Sequence, residues 1–179
     1  MTTILPCGQA DIPDIADLER RVIALPWGGR QLFAAFSDAR YAFYKAVFCG
    51  DDPLGAKKAV FRGDDPLGAK KAVFRGDDPA GARKNALAGY ILAEHVLDET
   101  NISSIAVEPA LWGLGIGTAL LGHVIGSERA RGAVRILLEV EAQNAAALKL
   151  YQSAGFQNIA VRPDYYGRGR DGLIFEKTL

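Results

Sequence analysis

Gly113, Gly115 and Gly117 fall at alternate positions between an apolar run ending at Val107 and a helical pattern that begins at Thr118. The stretch Val107 to Leu121 reads as a strand, a glycine-rich turn and a helix start. A glycine-rich turn standing alone is more often an ordinary tight connection than a phosphate site. Backbone N–H groups of such a turn, with the free amides at a helix N-terminus, make an anion site suited to a pyrophosphate. The spacing is not the G-x-G-x-x-G of a dinucleotide fold, and no Lys-Ser or Lys-Thr follows as in a nucleotide P-loop. A second block lies downstream, at Leu138-Glu-Val-Glu-Ala-Gln-Asn144 and on through Leu150-Tyr151 to Gly155-Phe156.

The remaining elements follow from periodicity. Ile4 to Leu5 is a short strand. Asp11 to Ala24 carries Ile12, Ile15, Leu18, Val22 and Ile23 at helical spacing, with acidic residues early. Pro26-Trp27-Gly28-Gly29 breaks it, and Gln31 to Phe36 is a second helix. Tyr41 to Phe48, Ala86 to Val96 and Ile102 to Val107 are strands, the last two joined by a turn over Leu97 to Thr100. Thr118 to Arg131 is a helix and Val134 to Val140 a strand. Ala145 to Ala154 is a helix stopped by Gly155, and Phe156 to Arg162 and Gly172 to Lys177 are closing strands. The order is that of a mixed α/β layer fold.

A tandem repeat interrupts this plan. Ala46 to Lys58, Ala59 to Lys71 and Ala72 to Lys84 are near-identical 13-residue copies. That period fits no solenoid class, and near-identity points to a recent duplication. The repeat is expected to enlarge a strand-to-strand loop of one domain spanning residues 1–179, since closure entropy grows slowly with loop length. The first copy is expected to hold the strand and the rest to project as an arm.

Composition narrows the function. Basic and acidic residues number 21 each, so the basic excess of a nucleic-acid binder is missing. No apolar run approaches the ~20 residues of a membrane span, and the first residues lack the pattern of a signal peptide. Cys7 and Cys49 read as free thiols of a reducing cytoplasm. With His95 and His123 isolated, no metal-ligand cluster is apparent.

Glu139 and Glu141 share a face of the strand Val134 to Val140. Placed beside the glycine turn, Glu139 is a candidate proton acceptor, and the like charge of Glu141 would discourage its ionisation. The Tyr151 phenol could donate a proton, although a core aromatic is the simpler role. Asn144 is a natural N-cap.

Together these blocks resemble the GNAT acyltransferases, and within them most resemble the bacterial ribosomal-protein-alanine N-acetyltransferases of the RimI type. The pattern covers about Ala88 to Leu179, with Pro26-Trp27 and Arg162-Pro-Asp-Tyr-Tyr166 adding to the likeness. The resemblance implies a mostly antiparallel twisted sheet flanked by helices and splayed at an acetyl-CoA groove. It implies Glu139 as general base and Tyr151 as general acid. It also implies pairing of Ile105, Ala106 and Val107 with the pantetheine arm, a pyrophosphate held by Leu114, Gly115, Ile116, Gly117 and Thr118, and a cofactor contact from Asn144. Acetyl-CoA would be co-substrate, and the acceptor a protein N-terminus, the alanine of a small-subunit ribosomal protein in the cytoplasm. Trp112 stands where the family usually has Arg or Gln, Leu114 where a basic residue is common, Gly28 where Ser or Thr is common, and Glu141 where Arg is common. An acidic position at residue 141 would suit a basic peptide. Two other readings stay open: transfer to a lysine or small-molecule amine, and a non-catalytic acyl-CoA-binding module.

Overall fold

A computed structural model of the chain describes residues 2–48 and 87–179. In chain order its elements are β1 (Thr2–Pro6), a 3₁₀ turn at Gln9–Asp11, α1 (Ile12–Val22), α2 (Gly29–Phe36), β2 (Tyr41–Phe48) and β3 (Leu87–Val96). There follow β4 (Glu99–Val107), a second 3₁₀ turn at Pro109–Leu111, α3 (Ile116–Ala130), β5 (Arg135–Glu141), α4 (Ala145–Ser153), β6 (Gln157–Arg162) and β7 (Gly172–Thr178). The strands form one sheet in the order β1-β2-β3-β4-β5-β7-β6. Among the described strands, only β4 and β5 are parallel neighbours; the other pairs are antiparallel. The expected mixed α/β architecture, mostly antiparallel, is what the chain adopts. The first copy of the repeat contributes Ala46-Val47-Phe48 to β2; the rest of the repeat lies outside the described residues.

Each sheet face carries its own apolar layer. Ile12, Ile15 and Leu18 of α1 and Leu32 and Ala35 of α2 pack on Phe43, Tyr90, Leu92 and Ala106. Ile116, Leu120, Leu121 and Val124 of α3, with Tyr151 of α4, pack on Ile91, Ala93, Ile102, Ile136, Leu138 and Phe175. β3 is buried on both faces because its successive side chains feed opposite layers. α1 follows its helical period, with Pro13 in the first turn and Arg20 and Arg21 in the last, where they complement the helix dipole.

β4 starts at Glu99, three residues before the expected Ile102. Glu99 and Thr100 look like turn residues, yet only Leu97 and Asp98 form the turn. The ladder is extended because these two polar side chains find partners. Thr100 Oγ1 donates to Glu128 at 2.8 Å, and Glu99 pairs with Arg135. At the other end β4 leaves its neighbour. The register steps from Leu92↔Ser104 to Ala93↔Ile102, a bulge that leaves Ser103 unpaired. Pairing with β5 ends at the same level, Ile102↔Leu138. Bulges bend the strand that carries them, and here the bend parts β4 from β5.

Candidate active site

The parting strands open a groove of about 1350 Å³. β4 lines it with Ile105, Ala106 and Val107, and β5 with Glu139, Val140 and Glu141. Gly115, Ile116, Gly117 and Thr118 close one end, and Asn144 and Tyr151 of the α4 region stand along it. Leu25 and Trp27 of the α1–α2 connection form a further wall. Leu114 is the sequence-predicted residue that does not line the groove. It is 45% exposed, and its N–H turns back to the Leu111 carbonyl at 3.4 Å.

The glycine turn has the form its spacing predicts. Gly113 and Gly115 both have φ of +77°, a region L side chains avoid. Gly115 is the N-cap of α3 and no side chain caps it, so the first amides of that helix face the groove without an intrahelical acceptor. Gly117 lets α4 approach, since a Cβ there would lie 3.3 Å from Leu150 Cδ2.

Ladder alternation sorts the β4 backbone. The Glu108 N–H donates to the Ala88 carbonyl at 2.9 Å. With Tyr90 opposite Ala106, alternation gives the N–H and C=O of Ala106 to β3. Ile105 and Val107 turn their backbone groups to the groove. Trp112 already donates its indole N–H to the Val107 carbonyl at 2.8 Å. Gly89 permits the close approach of β3 here, because a Cβ would stand 2.7 Å from the Ala106 oxygen.

Glu139 is held by residues to which the sequence pattern alone assigns no role. Arg162 Nη1 lies 2.9 Å from Glu139 Oε1. The Tyr165 phenol hydrogen-bonds to Glu139, the main reason its pKa lies above the ordinary value. The Arg162 guanidinium also stacks over the Tyr165 ring at 5.1 Å. Tyr166, raised first by burial and then by the charge of Glu139, completes the cluster. These residues reach across β7 at Gly172, where a Cβ would stand 3.1 Å from Tyr165. The only sequence signal was the density of aromatic and basic residues in Arg162-Pro-Asp-Tyr-Tyr166.

The expected acidic acceptor side is corrected. Glu141 faces Arg170, whose Nε and Nη2 lie 2.6 and 2.8 Å from its two oxygens. The hydrogen bond to Arg170 draws its carboxyl below the ordinary value. The negative charge set against Glu139 is therefore balanced by a cation 29 residues away in sequence.

Tyr151 is 5% exposed, between Phe156 and Phe175. Burial pushes its phenol well above the ordinary tyrosine value, so it keeps its proton at neutral pH. Asn144 caps α4, its Oδ1 accepting from the Ala147 N–H at 3.1 Å.

Helix α1 pins the groove from outside. Glu19 is wholly buried. It accepts from the Trp27 N–H, from the Tyr90 hydroxyl, and from Ser104 Oγ at 2.7 Å. Two residues on, Arg21 makes a bidentate pair with buried Glu108, both bonds 2.9 Å. Ser104 and Glu108 flank Ile105, Ala106 and Val107, so one helix fixes both ends of that segment. Glu19 sits four residues after Ile15 on the inward face, an anomaly visible in sequence whose partners were not.

The acetyltransferase (GNAT) family pattern matches residues 59–156. The chain belongs to the GNAT family. It is an N-acetyltransferase of this family, whose members use acetyl-CoA as co-substrate. It is 30% identical over 176 residues to the [ribosomal protein bS18]-alanine N-acetyltransferase of Escherichia coli K12, covering 97% of this chain and 95% of that protein. The Salmonella typhimurium protein of the same name is 30% identical over 93% of this chain and 88% of its own. Among solved structures, the ribosomal-protein-S18-alanine N-acetyltransferase of Escherichia coli superposes with a TM-score of 0.71 at 28% identity, over 99% of this chain and 94% of the other. Arabidopsis thaliana NAA60 in complex with acetyl-CoA shares the fold, with a TM-score of 0.75 at 16% identity over 100% and 99%. Among the described residues, no helix is long and apolar enough to cross a membrane.

Proposed function

We propose that this GNAT acetyltransferase moves the acetyl group of acetyl-CoA onto a protein N-terminal α-amine, that of the N-terminal alanine of ribosomal protein bS18, in the cytoplasm. The observation that carries the reading is the placing of Glu139 in the same groove as the bare amides of the glycine turn. The acceptor is drawn from the near full-length likeness to the bS18-alanine enzymes.

The reaction runs by direct attack in a ternary complex. The first amides of α3, with those of Gly115 to Thr118, hold the pyrophosphate. The groove-facing backbone of Ile105 and Val107 aligns the pantetheine arm, with Ala106 between them locked to β3. Asn144 sets the start of α4 beside that arm. The neutral amine attacks the thioester carbonyl, the new C–N bond forms and the C–S bond breaks. Glu139 takes the amine proton, directly or through water, and the Tyr151 phenol gives its proton to the departing thiolate. An α-amine suits so modest a base, because its pKa is about 7.7–8.0 against about 10.4 for lysine.

Acetyl transfer is measured to two peptides, one with a free N-terminal alanine, the other N-terminally blocked with an internal lysine. Transfer to the free peptide alone is expected, with kcat lowered about 10²–10⁴-fold by Glu139→Gln. Preference for the blocked peptide would mark a lysine acetyltransferase. Acetyl-CoA binding with no transfer to either would refute N-terminal acetylation.

A further inference from the structure

The charges around Glu139 bear on which amine the groove accepts. Glu139 is paired with Arg162 at 2.9 Å, and Glu141 with Arg170. Lys149 also lines the groove. The facing phenols of Tyr165 and Tyr166 have raised pKa values, and so stay neutral. Two carboxylates are thus answered by two guanidiniums, and an ammonium adds a further positive charge. We infer that Arg162 is a specificity-determining residue, whose fixed positive charge beside Glu139 admits a neutral α-amine and disfavours the ammonium of a lysine side chain.

This inference rests on the proposed N-terminal acetylation. Near pH 8 an α-amine is about half free base, whereas a lysine arrives almost wholly as the cation. Like charge in a partly solvated groove penalises only the cation. The pair is partly exposed, 48% for the Arg162 side chain and 34% for Glu139, so solvent screens the effect and a moderate selectivity follows. Once the guanidinium is gone, Glu139 is an unanswered carboxylate and attracts the ammonium.

The test compares kcat/KM for the alanine peptide and the blocked lysine peptide in wild type, Arg162→Met and Arg162→Lys, at one pH and low salt. Arg162→Met is expected to raise the lysine-to-alanine ratio about tenfold, equivalent to about 1.4 kcal/mol. Arg162→Lys keeps the charge and should hold the wild-type ratio. High salt should shrink the difference between wild type and Arg162→Met. An unchanged ratio in Arg162→Met overturns the inference, as does equal loss on both peptides. A shift as large in Arg162→Lys overturns it too, because the fork geometry and not the charge would then select. Failure of the wild type on the alanine peptide would instead strike the proposed function. The two failures are therefore separable.

Discussion

Replacing Glu19 tests whether one buried carboxyl group holds the α1–α2 wall of the groove to the sheet. Its side chain receives three donors: the Trp27 N–H, the Tyr90 hydroxyl and the Ser104 hydroxyl. In Glu19→Ala, the Tyr90 hydroxyl can turn its hydrogen to Ser104 Oγ, 2.7 Å away. The part-buried Trp27 N–H and the buried Ser104 hydroxyl hydrogen lose their acceptor. An orphaned buried donor costs about 1–3 kcal/mol, so about 3 kcal/mol is expected for the two, with the Trp27 N–H at the low end. At about 2–4 °C per kcal/mol for a chain of this size, Tm should fall by about 10 °C. Glu19→Gln is the control. Its amide oxygen can accept from Trp27 while its NH₂ donates to the hydroxyls, which can accept, so a loss of about 1 kcal/mol is expected. Urea denaturation of the three proteins, with Tm by calorimetry, measures both differences. A loss under about 1 kcal/mol in Glu19→Ala would show that water or repacking replaces the carboxyl. A Gln variant as unstable as the Ala variant would show that size or charge, and not hydrogen-bond capacity, is what matters.

Two further outcomes follow from single positions. Gly89→Ala puts a Cβ against the Ala106 carbonyl, so stability should drop by about 1–3 kcal/mol and acetyl-CoA should bind more weakly by calorimetric titration; unchanged binding would disconnect the β3–β4 approach from the groove. Burial, then the charge of Asp11, pushes the Cys7 thiol up to about 12, so at pH 8 the native protein should resist alkylation there until unfolded in urea; mass spectrometry of the Cys7 peptide reads this, and native alkylation as fast as unfolded would refute it.

Local chemistry made much of the fold readable in advance. β2 occupies the span its aromatic and β-branched residues marked, Tyr41–Phe48. The glycine turn has the positive φ angles that only glycine takes cheaply, and Asn144 caps α4 as its position suggested. These features depend on a few neighbouring residues, so a linear pattern suffices to reveal them. The misplaced start of β4 shows the limit. Glu99 and Thr100 look like turn residues until Arg135 and Glu128 supply distant partners.

The sequence by itself determined the alternating layers, the glycine turn and the presence of a carboxylate strand beside it. Tertiary structure alone decided where the groove opens, because the parting of β4 from β5 follows from a register shift at Ser103. It also decided the electrostatics of the site. Arg162 and Tyr165 meet Glu139 across β7, and Arg170 neutralises Glu141, as strand order dictates. Charges act through distances of a few ångströms, and those distances exist only after residues far apart in the chain have been brought together in one register.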